Sequence, residues 1–290
     1  MDHDWVWVDN EEQMERVREE TQNASAIGVD TEYDSFRYFR EKLCLIQLVS
    51  GSKTYVFDPL VGLDISFLGD LFSDSERIKI LHAGDNDIRI LNRDYGFVFK
   101  NIFDTSRAAS ILGCNYLSLS NVVTHYLDVA LHKSKKMQRS QWEQRPLTEE
   151  QLHYAVKDTK YLFKLYRILN DMLQKEDLDQ RACEAFRSME DIRWREKRLD
   201  PLGYLKIQGD QELNVQQQER LKSLYYWRFE KARETNKARF MILSDQNLFD
   251  LSKEEIDTIT SLTERGKLSP RKIRNFGSEI IETLHNVDLK

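Results

Sequence analysis

Asp30 and Glu32 end an apolar run, Ala26–Val29, with two carboxylates at positions i and i+2. In an extended strand that spacing puts both on one face. Acids so placed repel each other, and burial adds a desolvation cost. A hard divalent cation offsets both effects by direct coordination. Asp-x-Glu is common by chance, and a loop with two solvated acids is its more frequent setting.

Two further elements carry comparable groups. Tyr154 and Asp158 lie four residues apart in a helical pattern that opens at Thr148, so they share a face. Such a pair is usually an ordinary surface or half-buried one. The segment His82-Ala83-Gly84-Asp85-Asn86-Asp87 follows a fourth apolar run directly. An acid there lies at a strand's C-terminal end, where α/β sheets tend to place ligand sites. Asp85 suits a helix N-cap, whereas Asp87 suits a site.

The elements that must position these groups alternate in type. Ala26–Val29, Leu43–Val49, Thr54–Phe57, Ile78–Leu81 and Asn101–Phe103 read as strands, with a hairpin turn at Ser50-Gly51-Ser52. Helical patterns begin at Asp87 and span about 105–112. Strands joined by helices imply an α/β layer with a mixed sheet. Thr148 and Gln151 fit a capping box, and one helix is predicted from there to about Gln174. Another covers roughly 179–196. The pattern breaks between Leu199 and Asp210, which predicts a linker over 199–212. The division is therefore 1–198, the linker, and a small helical domain over 213–290, with helices near 216–235, 245–251, 254–262 and 270–287.

Composition sets outer limits. Of 290 residues, 40% are hydrophobic, enough for a packed core, and 11 Gly with 4 Pro exclude collagen-like and low-complexity classes. No apolar run is long enough to cross a membrane. The first 20 residues lack the basic start and apolar centre of a secretory signal. Three widely spaced cysteines form no disulfide or metal pattern, which predicts a cytoplasmic protein. A net charge of −6 argues weakly against nucleic acid as a partner, but location matters more than the sum. Lys133, Lys135, Lys136, Arg139 and Arg145 form a locally basic segment able to meet phosphates, with a solvated loop as the alternative.

The constellation is more specific than its parts. Asp30, Glu32, Asp87, Tyr154 and Asp158 resemble, in order and spacing, the tyrosine-bearing (DEDDy) subgroup of the DEDD 3′-5′ exonucleases, with ribonuclease D the nearest type. Gly28-Val29-Asp30-Thr31-Glu32, Lys42–Leu48, His82-Ala83-Gly84, Ile102–Thr105, the stretch from Lys133 to Thr148, and Tyr154–Asp158 all look familial. Leu221, Leu224, Trp227-Arg228, Ala232, Ile242–Asp245 and Leu248 resemble an HRDC domain. Gln141 departs from the pattern, where the family often has Asp before Trp142.

The resemblance implies a fold and a chemistry. The fold would be α/β, a ribonuclease H-like mixed sheet flanked by helices, followed by a small all-α HRDC-like domain. The activity would be hydrolysis of RNA from its 3′ end, releasing 5′-nucleoside monophosphates in tRNA or other structured-RNA maturation. Two divalent cations, Mg2+ or Mn2+, would be held by Asp30, Glu32, Asp87 and Asp158. Asp30 would serve both ions, Glu32 and Asp158 the first and Asp87 the second. Tyr154 would orient the attacking water. An all-oxygen donor set suits these ions and not zinc. No organic cofactor is expected.

Substrate contacts are expected from Tyr33, His82, Lys133, Arg139, Trp142 and Arg145. His82 also reads as a structural hydrogen-bonding residue rather than a ligand. Tyr33, Phe36, Tyr38, Phe39 and Trp142 could stack on bases, with core roles competing. Two other readings stand beside this one: a DNA 3′-exonuclease, and an inactive nucleic-acid-binding module whose acids are structural.

Overall fold

The computed structural model describes residues 5–131, 135–208 and 212–288. They form two compact units. One comprises the chain to Asp34 together with Lys42–Arg195. The other comprises Ser35–Glu41 together with the chain from Glu196 onward.

The first unit is built on a six-stranded mixed sheet in the order β1-β4-β3-β2-β5-β6. The strands are β1 (Trp5–Val8), β2 (Ala26–Asp34), β3 (Lys42–Ser50), β4 (Lys53–Phe57), β5 (Ile78–Leu81) and β6 (Ile102–Asp104). β2 pairs antiparallel with β3 and β3 with β4, while β1 pairs parallel with β4, β5 with β2 and β6 with β5. The β3–β4 turn passes through Gly51 at φ +60°, a left-handed conformation that glycine adopts without penalty.

Helices α1 (Glu11–Thr21), α2 (Phe67–Ser73), α3 (Asp85–Tyr95), α4 (Thr105–Ile111), α5 (Leu119–Leu127), α6 (Lys135–Gln138), α7 (Glu149–Thr159), α8 (Leu162–Lys175) and α9 (Asp179–Glu190) complete this unit. One core joins α1, α2 and α3 to Ile27, Val29, Ile46 and Leu48 of the sheet. α7 packs on β2, β3 and β4, whereas α8 packs on α4, α5 and β5.

The structure differs from the sequence expectations at several points. β1 and α1 were not expected, because a four-residue Trp-Val-Trp-Val strand in an acidic context gives a weak periodic signal. The helix expected from Thr148 to Gln174 is broken at Lys160-Tyr161. That break lets α7 follow the sheet while α8 follows its helical neighbours.

The second unit contains α10 (Tyr204–Gln208), α11 (Val215–Thr235), α12 (Arg239–Ile242), α13 (Asp245–Lys253), α14 (Ile259–Arg265) and α15 (Pro270–Asp288). Leu221, Leu224, Phe229, Leu248, Leu262 and Ile280 form its core. The segment expected as linker contributes to it, since Leu199, Tyr204 and Ile207 pack against that core. So does the excursion between β2 and β3. Phe39 is buried there, with its ring 5.1 Å from that of Phe229, and the Ala238 amide donates to the Arg37 carbonyl at 2.9 Å.

Candidate active site

The site begins with strand alternation. In the β2–β3 ladder Asp30 lies opposite Gln47 and Glu32 opposite Leu45, with a register shift between Glu32 and Tyr33. Gly28, Asp30 and Glu32 therefore share a face. A Cβ on Gly28 would stand 2.4 Å from Val49 Cγ1 and 3.1 Å from Leu162 Cδ1. Glycine thus admits the start of α8 against β2, and the preceding turn of α7 brings Asp158 over the strand. Ligand oxygens of Asp30, Glu32 and Asp158 lie within 4.8 Å of one another. Glu32 and Asp158 are buried and Asp30 is half-buried. A small cavity of about 40 Å3 borders Asp30, Asp158 and His82.

Two observations test whether a cation fits. Three carboxylates this close, two of them largely out of water, repel one another, and an all-oxygen donor set is what a hard divalent ion takes. Gln47, fully buried beside Asp30, has neither amide oxygen nor nitrogen hydrogen-bonded among the described residues. Buried polar atoms are normally paired. A polar group at the acid cluster suits that amide. The residues present fit the ion.

Asp87 stands outside this group of three. It lies in the first turn of α3, where its carboxylate accepts hydrogen bonds from the Thr31 hydroxyl and backbone amide. β2 pairs with β5 only as far as Gly28, so beyond it the β2 edge is open and Asp87 fills it. Burial pushes its carboxyl up to about 6; the Thr31 bonds oppose this and the nearby Asp104 charge adds to it. Asp104 is itself buried and structural, accepting from the Gly84 and Arg107 amides at 2.9 and 2.8 Å. The N-cap of α3 is Gly84; Asp85, suited by sequence to that role, pairs instead with Arg107 at 2.6 Å.

Tyr154 projects from α7 one turn before Asp158. Burial raises its phenol well above the ordinary tyrosine range, and the charges of Asp158, Glu32 and Asp30 add to the effect. A hydrogen bond from Gln138 works against it. The hydroxyl therefore stays protonated at neutral pH. Trp142 is fully buried, its ring centroid 5.9 Å from that of Tyr154. It supports the tyrosine from behind and is closed to bases, contrary to the stacking role expected for it.

The other expected substrate contacts separate. His82 Nδ1 meets Thr105 Oγ1 at 2.8 Å and Nε2 meets the Leu117 carbonyl at 3.0 Å, so its ring is held between two structural partners. Arg145 does not face solvent phosphates. It grips Asp58 through two hydrogen bonds, at 2.5 and 2.7 Å, and also donates to the carbonyls of Trp142 and Cys44. Tyr33 packs against the main core. Arg139 is exposed, and Lys133 lies outside the described residues. Sequence reasoning missed Gln47 and Thr31 as parts of the site. A lone amide inside the apolar run Leu43–Val49 was the available signal for the first.

Known proteins share this chain's sequence and fold. Residues 5–174 match the 3′-5′ exonuclease family and residues 217–284 match the HRDC domain. The chain is 29% identical over 290 residues to the exosome complex component 10 homolog of Drosophila melanogaster, covering 98% of this chain but 32% of that relative. The catalytic core of RRP6 from Trypanosoma brucei shares the fold, with a TM-score of 0.89 over 98% of this chain and 79% of that one, at 23% identity. Escherichia coli RNase D aligns with a TM-score of 0.73 at 26% identity, over 98% of this chain and 75% of that one. With a family match running through the sheet and across both α7 and α8, the chain belongs to the 3′-5′ exonuclease family and carries an HRDC domain after its exonuclease unit.

Proposed function

We propose that the chain is a 3′-5′ exoribonuclease of the ribonuclease D type, removing 5′-nucleoside monophosphates from RNA with a free 3′ end. The observation that carries this is the gathering of Asp30, Glu32 and Asp158 within 4.8 Å on one face, one helical turn from Tyr154. The similar E. coli protein is an exoribonuclease involved in structured RNA processing. Structured precursors such as tRNA are accordingly the substrate class we favour.

Asp30, Glu32 and Asp158 would hold one divalent cation, and Asp30 with Asp87 a second, Mg2+ or Mn2+. When bound, such ions supply the positive charge that offsets charge building on the phosphoryl oxygens. Tyr154 keeps its proton and is a hydrogen-bond donor and acceptor of fixed position. It orients the attacking water and leaves proton removal to other groups. Trp142 fixes its ring, and Thr31 fixes Asp87. The three cysteines are free thiols, which supports a reducing, cytoplasmic setting.

The test is an assay on 3′-hydroxyl RNA and the matching DNA with Mg2+ or Mn2+. Release of 5′-monophosphates from RNA, lost in Asp30→Asn while RNA binding in chelator persists, is the expected result. Faster digestion of the DNA would overturn the RNA assignment. Unchanged turnover in Asp30→Asn would overturn the site.

A further inference from the structure

Away from the acid cluster, a groove of about 760 Å3 lies between the β3–β4 turn and the outer side of α7 and α8. His153, Lys157, Lys160, Lys164 and Arg167 line it. His153 and Lys157 lie one turn apart on α7, Lys164 and Arg167 one turn apart on α8, and Lys160 stands at the break between the two helices. No Asp or Glu is among the described lining residues. None of Lys157, Lys160, Lys164 and Arg167 forms an ion pair among the described residues, although acids outnumber Lys and Arg, 49 to 43, in the chain. Trp5, Tyr161 and Phe163 stand in the same walls, over buried Val49 and Thr54.

An acidic chain that keeps four unpaired cations in one groove creates a local positive field despite its net charge. Cations that track a backbone, with aromatic faces beside them, match single-stranded nucleic acid. A duplex hides its bases and would leave those rings unused. Lys157 immediately precedes Asp158 on α7 but lines the groove, while Asp158 faces β2. One helix therefore carries an acid of the cluster on one side and part of the cationic groove on the other.

We propose that this groove is a second RNA-binding site, which holds a single-stranded segment of the substrate outside the cleavage site. The proposal rests on the reading of the chain as an RNA nuclease. It makes the groove a source of affinity for long RNA and not of chemistry.

The experiment uses the full chain with Lys160→Glu, Lys164→Glu and Arg167→Glu combined. A control with Lys175→Glu, Arg181→Glu and Arg187→Glu carries the same net charge, and melting curves verify that both fold. Binding of an unstructured 20-nucleotide oligouridylate is measured in chelator at several salt concentrations. The groove variant is expected to bind roughly tenfold or more weakly at low salt, with a log–log salt slope shallower by about 2. The control should keep most of the wild-type affinity and slope. Hydrolysis of a diribonucleotide with Mg2+ should be unchanged in the groove variant, because a substrate with a single phosphodiester is too short to reach from the cleavage site into the groove.

Equal loss in both variants would reduce the effect to net charge and overturn the proposal. Unchanged RNA affinity in the groove variant would overturn it too, and would turn attention to an acidic protein as occupant. If wild type binds RNA through the groove yet degrades none, the groove stands and the exoribonuclease reading falls. A wild type that binds no RNA overturns both.

Discussion

Thr31 and Asp87, 56 residues apart in sequence, are joined by a hydrogen bond from the threonine hydroxyl to the aspartate carboxylate. Asp87 is thereby held at the open edge of β2, next to the strand positions that present Asp30 and Glu32 and outside the cluster those two form with Asp158.

That arrangement gives a pH dependence. Burial raises the Asp87 carboxyl, so the folded chain favours its protonated form. The associated stability is fully present below the unfolded value of 3.8 and is lost as pH climbs through about 6. In chelator, Asp87→Asn should melt above wild type at pH 8, by on the order of 1–3 kcal/mol, with the gap closing toward pH 5. Added Mg2+ should narrow it at pH 8. A gap that widens on acidification would contradict the buried-carboxyl account.

The acid cluster predicts a trade between stability and ion binding. Asp30→Asn removes one of three mutually repelling charges, so its metal-free melting temperature should rise. The further rise that Mg2+ gives wild type by binding only the folded state should be largely lost. Thermal melts with and without Mg2+ read both effects. An Mg2+ response equal to wild type would mean that Asp30 holds no ion.

Tyr154→Phe keeps the ring against Trp142 and removes only the hydroxyl. Turnover should fall by on the order of 100-fold, with KM for RNA and the melting temperature close to wild type. A change confined to stability would assign Tyr154 to the core alone.

Arg145 separates a structural cation from a substrate contact. Its partner Asp58 has a side chain only 2% exposed, so Arg145→Ala strands a buried charge. The expected loss is about 3–5 kcal/mol in denaturant melts. KM for RNA at a temperature where the variant stays folded should be nearly unchanged. A raised KM with normal stability would restore the phosphate-binding role first expected of this residue.

Gln47→Met replaces an unpaired buried amide by an apolar chain of similar size. The metal-free protein should gain stability, about 1–3 kcal/mol, because two unsatisfied polar atoms disappear. Mg2+ affinity should weaken at the same time. Gain without that loss would make Gln47 a packing defect rather than part of the site.

Local sequence was enough to identify the groups but not their final company. Asp-x-Glu at the end of an apolar run fixed the face of Asp30 and Glu32, and i, i+4 spacing fixed Tyr154 beside Asp158, because both follow from the periods of strand and helix. The capping box at Thr148 and the hairpin turn at Gly51 were legible for the same reason. Strand pairing and helix packing decided the rest. Pairing set Gln47 opposite Asp30 and left the β2 edge open for Asp87. The break at Lys160-Tyr161 let α7 cover the acids while exposing a cationic groove. Burial turned Trp142 and Arg145 inward, toward Tyr154 and Asp58. Such outcomes depend on contacts between residues distant in the chain, which no local periodicity encodes.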